Sequence, residues 1–324
     1  MRPEPDVADE SLAGDKVRGA RSILKVRNLV MRFGGVTAVD GLNMTVREGE
    51  VLSVIGPNGA GKTSAFNCIS GFYRPNSGTI RFYGESLLKQ QPSAITASGM
   101  ARTFQNLRLF RELSILDNVK TSAHSRVRQH WYDACFHTRA FRRTERQIDD
   151  HARGWLEFVG FTGDERQYVT QLPYGEQRRV EIARALNSSP KLLLLDEPAA
   201  GLNHSEKQAL IDLIRRIQAL GVSIVLIEHD MGLVMEVSER ILVLNYGKEI
   251  ADGTPAEIRA NPLVIEAYLG AQEGSAVDAT GSDEELLDDD AELSEIAEEL
   301  HARPSATRSY KPHKPHKPRP SKES

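Results

Sequence analysis

Hydrophobic and polar residues alternate with a period of two in two segments near the start of the chain, residues 23–27 and 42–46. Gly34-Gly35 lies between the segments and Glu48-Gly49 follows the second, so turn-forming residues bound them. Alternation of this kind predicts half-buried strands. We therefore expect the folded part of the chain to begin near Ile23 with a section rich in β-structure.

Farther along the chain, apolar residues form unbroken runs instead of alternating. The run Val51–Ile55 ends at Gly56 and has the character of a strand buried on both faces of a parallel sheet. Residues 62–71 show a helical pattern, and helix and strand then alternate, which indicates a parallel α/β sheet. The later predicted elements are helices over 176–187 and 205–220, strands over 192–195 and 223–227, a hairpin pairing 241–244 with 249–251, and a last helix over 262–269.

Composition divides the chain into a folded body and two polar ends. Residues 1–22 are polar and contain prolines, so we expect a flexible lead. Residues 23–270 form the expected folded domain, in which residues 108–171, rich in arginine, histidine and aromatic residues at helical spacing, predict an α-helical subdomain. Residues 271–324 are first acidic and then basic and proline-rich, a composition that predicts disorder.

Charge and cysteine content narrow the class of protein. A formal net charge of −4 and a pI near 6.2 give no basic excess, so we expect no nucleic-acid partner. Cys68 and Cys135 fit unpaired thiols in a reducing compartment better than a disulfide-linked secreted fold. The N-terminus lacks the apolar stretch of a secretory signal, and no window approaches the roughly 20 apolar residues of a membrane-spanning helix. Contact with a membrane would therefore depend on partner subunits.

A glycine-rich loop follows the first buried strand. Residues 56–63 match the pattern G-x-x-x-x-G-K-[ST] between a strand and a helix, which is the context that a phosphate-binding loop requires. Backbone N–H groups of such a loop bind phosphate oxygens, the lysine reaches the β- and γ-phosphates, and the hydroxyl binds Mg²⁺. Residues that bind a nucleoside triphosphate are therefore predicted at Gly56, Pro57, Asn58, Gly59, Ala60, Gly61, Lys62, Thr63 and Ser64, with Thr63 also a metal ligand.

Two acidic residues follow the predicted strand 192–195. Because ligands of α/β sheets bind at the carboxyl ends of strands, Asp196 is predicted to hold Mg²⁺ and Glu197 to polarise the attacking water. An isolated Asp-Glu pair could equally end a strand and begin a loop. The phosphate loop in the same chain favours the functional interpretation.

The order of further motifs resembles the ATPase family of ABC transporters. Leu172-Pro-Tyr-Gly-Glu-Gln177 takes the place of the family signature, and the resemblance spans residues 23–270. It implies an α/β fold of the P-loop NTPase class with ABC-type organisation: a mixed-sheet core, an antiparallel β subdomain and an inserted α-helical subdomain. It also implies ATP hydrolysis with Mg²⁺ as the cofactor.

The same resemblance assigns roles to single residues. Phe33 stands where an aromatic ring stacks on adenine, Gln105 lies in the Q-loop and contacts the metal and the catalytic centre, and residues 200–203 form the D-loop. His229 is the switch histidine that contacts the γ-phosphate. Taken alone, Phe33 could be an ordinary strand aromatic, Gln105 a surface glutamine and His229 a capping or core histidine.

The signature departs from the common Leu-Ser-Gly-Gly-Gln. Pro173 replaces the serine and Tyr174 replaces the first glycine. In the family, the signature of one subunit closes over ATP bound to another, so Tyr174, Gly175 and Glu176 are expected to contact the nucleotide of a second subunit. Backbone N–H groups and a helix beginning at Glu176 would make this contact, and the missing serine hydroxyl removes one hydrogen bond to phosphate.

Local strings make the resemblance closest to the ATPases of branched-chain amino acid importers. The resemblance implies a peripheral subunit on the cytoplasmic face of the cell membrane, bound to two transmembrane permease subunits and served indirectly by a substrate-binding protein. It also implies a second ATPase subunit, with a heterodimer favoured over a homodimer. The strings are residues 33–40, 101–106, 179–184, 197–203, 253–255 and 267–270, and the tyrosine-glycine signature also occurs in that branch.

Other functions remain as alternatives at this point. Related ATPases serve urea or short-amide import and lipopolysaccharide export, and soluble ABC proteins act in translation or DNA maintenance. The chain shows one cassette and no long coiled-coil insertion, which favours transport over the soluble classes. A nucleotide-dependent scaffold without turnover is a further alternative, although Lys62, Asp196, Glu197 and His229 favour turnover.

Overall fold

The structure is a computed structural model that describes residues 21–123 and 139–275. Cys135, residues 1–20 of the predicted lead and residues 276–324 of the predicted tail lie outside this description. Cys68 is a buried free thiol, and burial raises its pKa to about 11. Among the helices of the two described ranges, none is both long and apolar enough to cross a bilayer.

Ten strands lie within the described ranges and form two sheets. They are β1 (Ser22–Phe33), β2 (Val36–Arg47), β3 (Val51–Ile55), β4 (Ser77–Phe82), β5 (Glu85–Ser86), β6 (Met100–Arg102), β7 (Leu192–Asp196), β8 (Ser223–Ile227), β9 (Arg240–Asn245) and β10 (Lys248–Gly253). The first sheet is antiparallel, in the order β2-β1-β4-β5. The second is mixed, in the order β10-β9-β3-β8-β7-β6, with β10 antiparallel to β9 and the other pairs parallel. The predicted antiparallel section and mixed core are confirmed.

Helices pack on the mixed sheet and lie in the described parts of the segment between β6 and β7. They are α1 (Lys62–Ile69), α2 (Pro92–Ala97), α3 (Ile115–Lys120), α4 (Arg139–Phe158), α5 (Tyr174–Asn187), α6 (His204–Ala219), α7 (Met231–Val237), α8 (Pro255–Arg259) and α9 (Pro262–Ser275), with a 3₁₀ turn at Val169–Gln171. The described parts of the predicted helical segment 108–171 therefore hold α3, α4 and the 3₁₀ turn.

Several helix ends differ from the sequence-based expectation. α5 begins at Tyr174, two residues before Glu176, because Pro173 takes the N-cap position with φ −55° and ψ 155°, an extended geometry from which the helix starts at once. α9 continues to Ser275, beyond the predicted end at 269. The helix at the signature therefore begins two residues earlier than the sequence suggested.

The centre of the mixed sheet is buried on both faces. Every residue of β3, β7 and β8 is buried, which explains why their sequences are apolar runs without alternation. In the register of the sheet, Val54 of β3 and Asp196 of β7 both pair with Ile227 of β8. The three strands therefore end in one row at the same edge.

Apolar cores on both sides hold this sheet in place. Val51 of β3 belongs to a core shared with α3, α5 and α6, while Val54 belongs to a core shared with the antiparallel sheet and α1. Ile55, the last residue of β3, packs in a third cluster with Ile258 of α8 and Val264 of α9. The strand that precedes the glycine-rich loop is therefore fixed from every side.

A single buried amide organises the loop before α3. Asn118 is fully buried, and its Nδ2 donates to the carbonyl oxygens of Phe110 at 3.0 Å, Leu113 at 3.3 Å and Ser114 at 3.0 Å. Its Oδ1 accepts the backbone N–H of Phe110 at 2.8 Å. The amide thus satisfies backbone groups that would otherwise be buried without partners.

We expect Asn118→Ala to lower the free energy of unfolding by about 2 to 4 kcal/mol, because several buried backbone groups lose their partner. Urea unfolding followed by circular dichroism measures the change. Asp117→Ala is the matched control on the same helix: its side chain is 53% exposed, and the expected loss is below about 1 kcal/mol. Equal losses in the two variants would show that Asn118 does not organise the loop.

Candidate nucleotide-binding site

The common row of strand ends gathers the functional segments at one edge of the sheet. β3 continues into residues 56–61, β7 ends at Asp196 and leads to Glu197, and β8 leads to Glu228 and His229. Because these strands are parallel and end in register, the side chains that follow them lie close together. The contacts below show how they are arranged.

Two glycines let the phosphate loop lie directly against neighbouring backbone. A Cβ atom at Gly61, where φ is +98°, would overlap the carbonyl oxygen of Ala38 in β2, and one at Gly56 would overlap that of Leu244 in β9. A larger residue at either position would collide with backbone, which cannot move aside as a side chain can. The loop is therefore pressed between β2 and β9.

A hairpin turn near the end of the domain clasps the same loop. The N–H of Gly247, between β9 and β10, donates to the carbonyl oxygen of Ala60 at 3.0 Å. The carbonyl oxygen of Gly247 accepts the N–H of Asp40 at 2.8 Å, and the N–H of Ala60 donates to Pro57 at 3.1 Å. The shape of the loop thus depends on β2 and on the turn between β9 and β10.

The loop leads into the N-terminus of α1. Thr63 and Ser64 lie in its first turn. The N-cap residue is Gly61, which has no side chain that could accept hydrogen bonds from the first N–H groups of the helix. The first N–H groups of the helix and its positive dipole end therefore adjoin the loop. Thr63, Asn58 and Gly59 are exposed. These exposed residues adjoin a helix end that is suited to an anion, and phosphate binding by the loop stays a prediction.

Lys62 places a positive charge inside the loop. The side chain is 9% exposed, and its ammonium group donates to the carbonyl oxygens of Gly56 at 2.5 Å and Pro57 at 3.0 Å. Burial lowers the pKa of Lys62, and the nearby carboxylates of Glu197 and Asp196 oppose this shift. The lysine therefore lies within the electrostatic reach of both predicted acidic residues.

Asp196 is buried against an arginine. Nη2 of Arg102 donates to Oδ2 of Asp196 at 2.8 Å, and both side chains are almost fully buried. Nη1 of Arg102 donates to Asn67 Oδ1 at 2.8 Å and to Ser70 Oγ at 2.7 Å, at the C-terminal part of α1. Burial lowers the pKa of Arg102, and the bond to Asp196 opposes that change. The protein therefore balances the charge of Asp196 and holds one of its carboxylate oxygens.

The three predicted catalytic residues meet at one carboxylate. Glu197 has a left-handed backbone, with φ of 47°, and its N–H donates to Ile227 at 2.9 Å. Nε2 of Gln105 donates to Oε2 of Glu197 at 2.8 Å, and Nδ1 of His229 lies 4.0 Å from the same oxygen. Glu197 is partly accessible to solvent, so water can approach it.

The buried carboxylate of Glu228 holds the backbone next to Glu197 and His229 in place. Oε1 of Glu228 accepts the N–H of Ala199 at 2.7 Å, and Oε2 accepts the N–H of His229 at 3.1 Å. Burial raises the pKa of Glu228, and these hydrogen bonds oppose the rise. Glu228 thereby ties the base of the exposed His229 to the loop that follows Glu197.

Phe33 lies at the end of β1, in the hairpin that touches the phosphate loop. Its ring is 43% exposed and packs edge-on against Tyr73, with 5.3 Å between the ring centroids. Ala38, on the other strand of the hairpin, is the residue that Gly61 approaches. This placement is compatible with a ring beside the base of a nucleotide; stacking on adenine stays a prediction.

Tyr174, Gly175 and Glu176 form the first turn of α5. The ring of Tyr174 lies over Gly201, where an added Cβ would be 3.4 Å from a ring carbon, and its hydroxyl oxygen accepts a hydrogen bond from Arg178 at 2.9 Å. Gly175 lies against the carboxylate of a glutamate in α6. The contact of these residues with the nucleotide of a second subunit stays a prediction.

Sequence reasoning missed three charged residues of this site: Arg102, Arg178 and Glu228. Arg102 falls inside the string 101–106, and Glu228 directly precedes His229, so proximity to a predicted functional residue was the available signal. Their partners could not be inferred, since Arg102 and Asp196 are 94 residues apart. A pairing at that distance depends on the fold.

Gly61→Ala is expected to lower the free energy of unfolding by about 2 to 5 kcal/mol, because the left-handed backbone and the collision with Ala38 both oppose it. Gly59→Ala is the matched control: its φ is +79°, and nothing lies within 4 Å of an added Cβ. It should cost only the backbone term of about 1 to 2 kcal/mol. Urea unfolding without nucleotide compares them, and a Gly61→Ala loss no greater than that of the control would disprove the close approach.

Comparison with known families agrees with this geometry. Residues 39–200, half of the chain, match the family model described as ABC transporter. Residues 248–274 match a second model, described as branched-chain amino acid ATP-binding cassette transporter. The second match covers β10, α8 and most of α9, which pack beneath the phosphate loop through Ile55.

The matches with similar proteins cover nearly the whole length of those proteins. The high-affinity branched-chain amino acid transport ATP-binding protein BraF of Pseudomonas aeruginosa is 48% identical over 78% of this chain and 99% of its own. The corresponding protein LivG of Escherichia coli is 44% identical over the same shares. A crystal structure of an ATP-binding cassette of an ABC transporter in its ADP conformation superposes with a TM-score of 0.67, at 28% identity over 77% of this chain and 99% of that one. From the loop geometry, the acidic strand and these matches together, the chain belongs to the ABC transporter family as an ATP-binding, ATP-hydrolysing protein.

Proposed function

We propose that this chain hydrolyses Mg²⁺-bound ATP to power the import of branched-chain amino acids by an ABC transporter. The observation that carries the proposal is the 2.8 Å hydrogen bond from Gln105 to Glu197, beside His229, at the sheet edge that bears the phosphate loop. The substrate class is supported by the similarity to BraF and LivG and by the match of residues 248–274.

The oxygen atoms at this edge fit a magnesium ion. Mg²⁺ prefers oxygen ligands in octahedral geometry, and Thr63, Gln105 and Asp196 supply a hydroxyl, an amide oxygen and a carboxylate. Because Arg102 holds Oδ2 of Asp196, we assign Oδ1 to the ion. When bound, Mg²⁺ would neutralise charge on the β- and γ-phosphate oxygens.

The positions of the protein groups support the following roles. The loop N–H groups and Lys62 bind the β- and γ-phosphates, because the loop adjoins a helix N-terminus and encloses the ammonium group. Glu197 acts as the general base that polarises water, with Gln105 fixing its orientation. His229 contacts the γ-phosphate and helps to position the water, and Phe33 stacks on adenine.

The working assembly would contain two transmembrane permease subunits and a second ATPase subunit, with the chain on the cytoplasmic face of the membrane. A heterodimer of ATPases is favoured by the importer branch. The exposed Tyr174, 39% accessible at the start of α5, supports a contact between the signature and the second subunit's ATP. Phe110, 53% exposed in the loop that Asn118 anchors, supports a contact that transmits nucleotide state to a permease.

Glu197→Gln tests the hydrolytic role. The amide keeps the shape of the side chain but cannot accept a proton, so steady-state ATP turnover of the assembled transporter should fall by about 10² or more. ATP binding to the variant, measured with a fluorescent nucleotide, should stay within about twofold of wild type, because Glu197 lies outside the phosphate loop. Glu236→Gln, at an exposed ion pair on α7, is the matched control and should turn over ATP normally. Unchanged turnover in Glu197→Gln would refute the general-base assignment.

The transport role can be tested separately. Purification of the chain from detergent-solubilised membranes should recover two hydrophobic permease subunits. Reconstituted with a substrate-binding protein in vesicles, the assembly should show ATP-dependent uptake of labelled leucine, isoleucine or valine. Uptake of urea or a short amide instead would replace the substrate class, and recovery with ribosomes but without permeases would refute transport.

A further inference from the structure

The most distinctive departure of the signature is Tyr174, a bulky residue in place of glycine, and the structure shows what its ring touches. An added Cβ at Gly201 would lie 3.4 Å from a carbon of the Tyr174 ring, so the ring lies on the backbone of the 200–203 loop. Gly201 has φ of +74° and forms part of the segment that follows Glu197. A glycine at position 174 would leave this contact unmade.

The hydroxyl group of Tyr174 makes a second contact, with a buried arginine. Arg178 is 1% exposed, and its Nη2 donates to the Tyr174 hydroxyl oxygen at 2.9 Å. Arg178 is paired with Glu181, which is equally buried, at 2.8 Å. Burial raises the pKa of Glu181, and the charge of Arg178 opposes the rise. A charge-assisted bond in so buried a place has a defined geometry.

Arg178 also holds the backbone of the segment that carries Gln105. Its Nη1 donates to the carbonyl oxygen of Phe104 at 2.7 Å, and its Nη2 donates to the carbonyl oxygen of Gln105 at 2.9 Å. The side chain of Gln105 in turn donates to Glu197 at 2.8 Å. A continuous path of hydrogen bonds therefore runs from Tyr174 through Arg178 and Gln105 to Glu197.

We propose that Tyr174 and Arg178 are positioning residues that couple the signature end of α5 to the catalytic carboxylate of the same chain. This proposal rests on the proposed function, in which the signature touches ATP bound to a second ATPase subunit. Contact of that nucleotide with Tyr174 shifts the guanidinium group of Arg178 and, with it, the backbone of Gln105. This changes the orientation of Glu197, which acts on the ATP bound to this chain. The tyrosine thus links the two ATP sites of the assembly.

The alternative is that Tyr174 acts only on the second subunit's nucleotide or only fills space over Gly201. A double-mutant cycle distinguishes these cases, because residues that act through one another give non-additive effects. The cycle consists of Tyr174→Phe, Gln105→Ala and the double variant in the assembled, reconstituted transporter.

Tyr174→Phe removes the hydroxyl and keeps the ring. We expect it to lower kcat for ATP by about three- to tenfold, which is less than the full effect of one lost hydrogen bond to a charged group because the hydroxyl acts on Glu197 only indirectly. KM, the thermal unfolding temperature and ATP binding to the isolated chain should stay unchanged. In the Gln105→Ala background, the same substitution should cause no further loss. Arg178→Lys keeps a charge beside Glu181 but cannot bridge Tyr174 and the two carbonyl groups, and it should reproduce the loss in kcat.

Tyr168→Phe is the matched control, since Tyr168 is 54% exposed and lies before the 3₁₀ turn; its kinetics should equal those of wild type. Equal fold losses from Tyr174→Phe in both backgrounds would overturn the proposal, as would unchanged kcat in Tyr174→Phe with an active wild type. An assembled wild-type transporter without ATP turnover would instead refute the proposed function, so the two failures are distinguishable.

Discussion

The parallel register of β3, β7 and β8 is the constraint on which the site depends. Because Val54 and Asp196 pair with the same residue of β8, the strands release their chains side by side. The phosphate loop, the Asp196-Glu197 pair and the Glu228-His229 pair then meet, although these three segments are far apart in the sequence. A shift of one residue in this register would turn every buried side chain toward the opposite face, so the same packing that stabilises the sheet fixes the geometry of the chemistry.

A second requirement is that charges at this edge be balanced inside the protein. Arg102 compensates Asp196, and Arg178 compensates Glu181, each at 2.8 Å and with little exposure. Burying such ions costs free energy that only well-formed pairs offset. The pairs also join elements: Arg102 connects β6, β7 and α1, whereas Arg178 connects α5 to the segment before α3. The same two arginines therefore balance the buried charges and hold the elements of the site in position.

The sequence predicted those features that are written locally. The fully buried strands appear as apolar runs, the phosphate loop is a contiguous motif, and Glu197 and His229 each lie two residues after a predicted strand. β6, by contrast, has only three residues and exists through its pairing with β7, so no periodicity could reveal it. The contact of Tyr174 with Gly201 and the bond from Arg102 to Asp196 join distant segments, and their partners follow only from the topology.

The hydrogen bonds that join Gly247 to Ala60 and Asp40 affect when the phosphate loop takes its final shape during synthesis. The phosphate loop leaves the translation machinery early, but the turn that holds it, and the strand β9 that pairs with β3, are synthesised only near the end of the domain. Contacts between such distant positions also form late in folding. A nascent or truncated chain therefore lacks a complete nucleotide cradle, and the stabilisation that a bound ligand gives is reserved for finished chains.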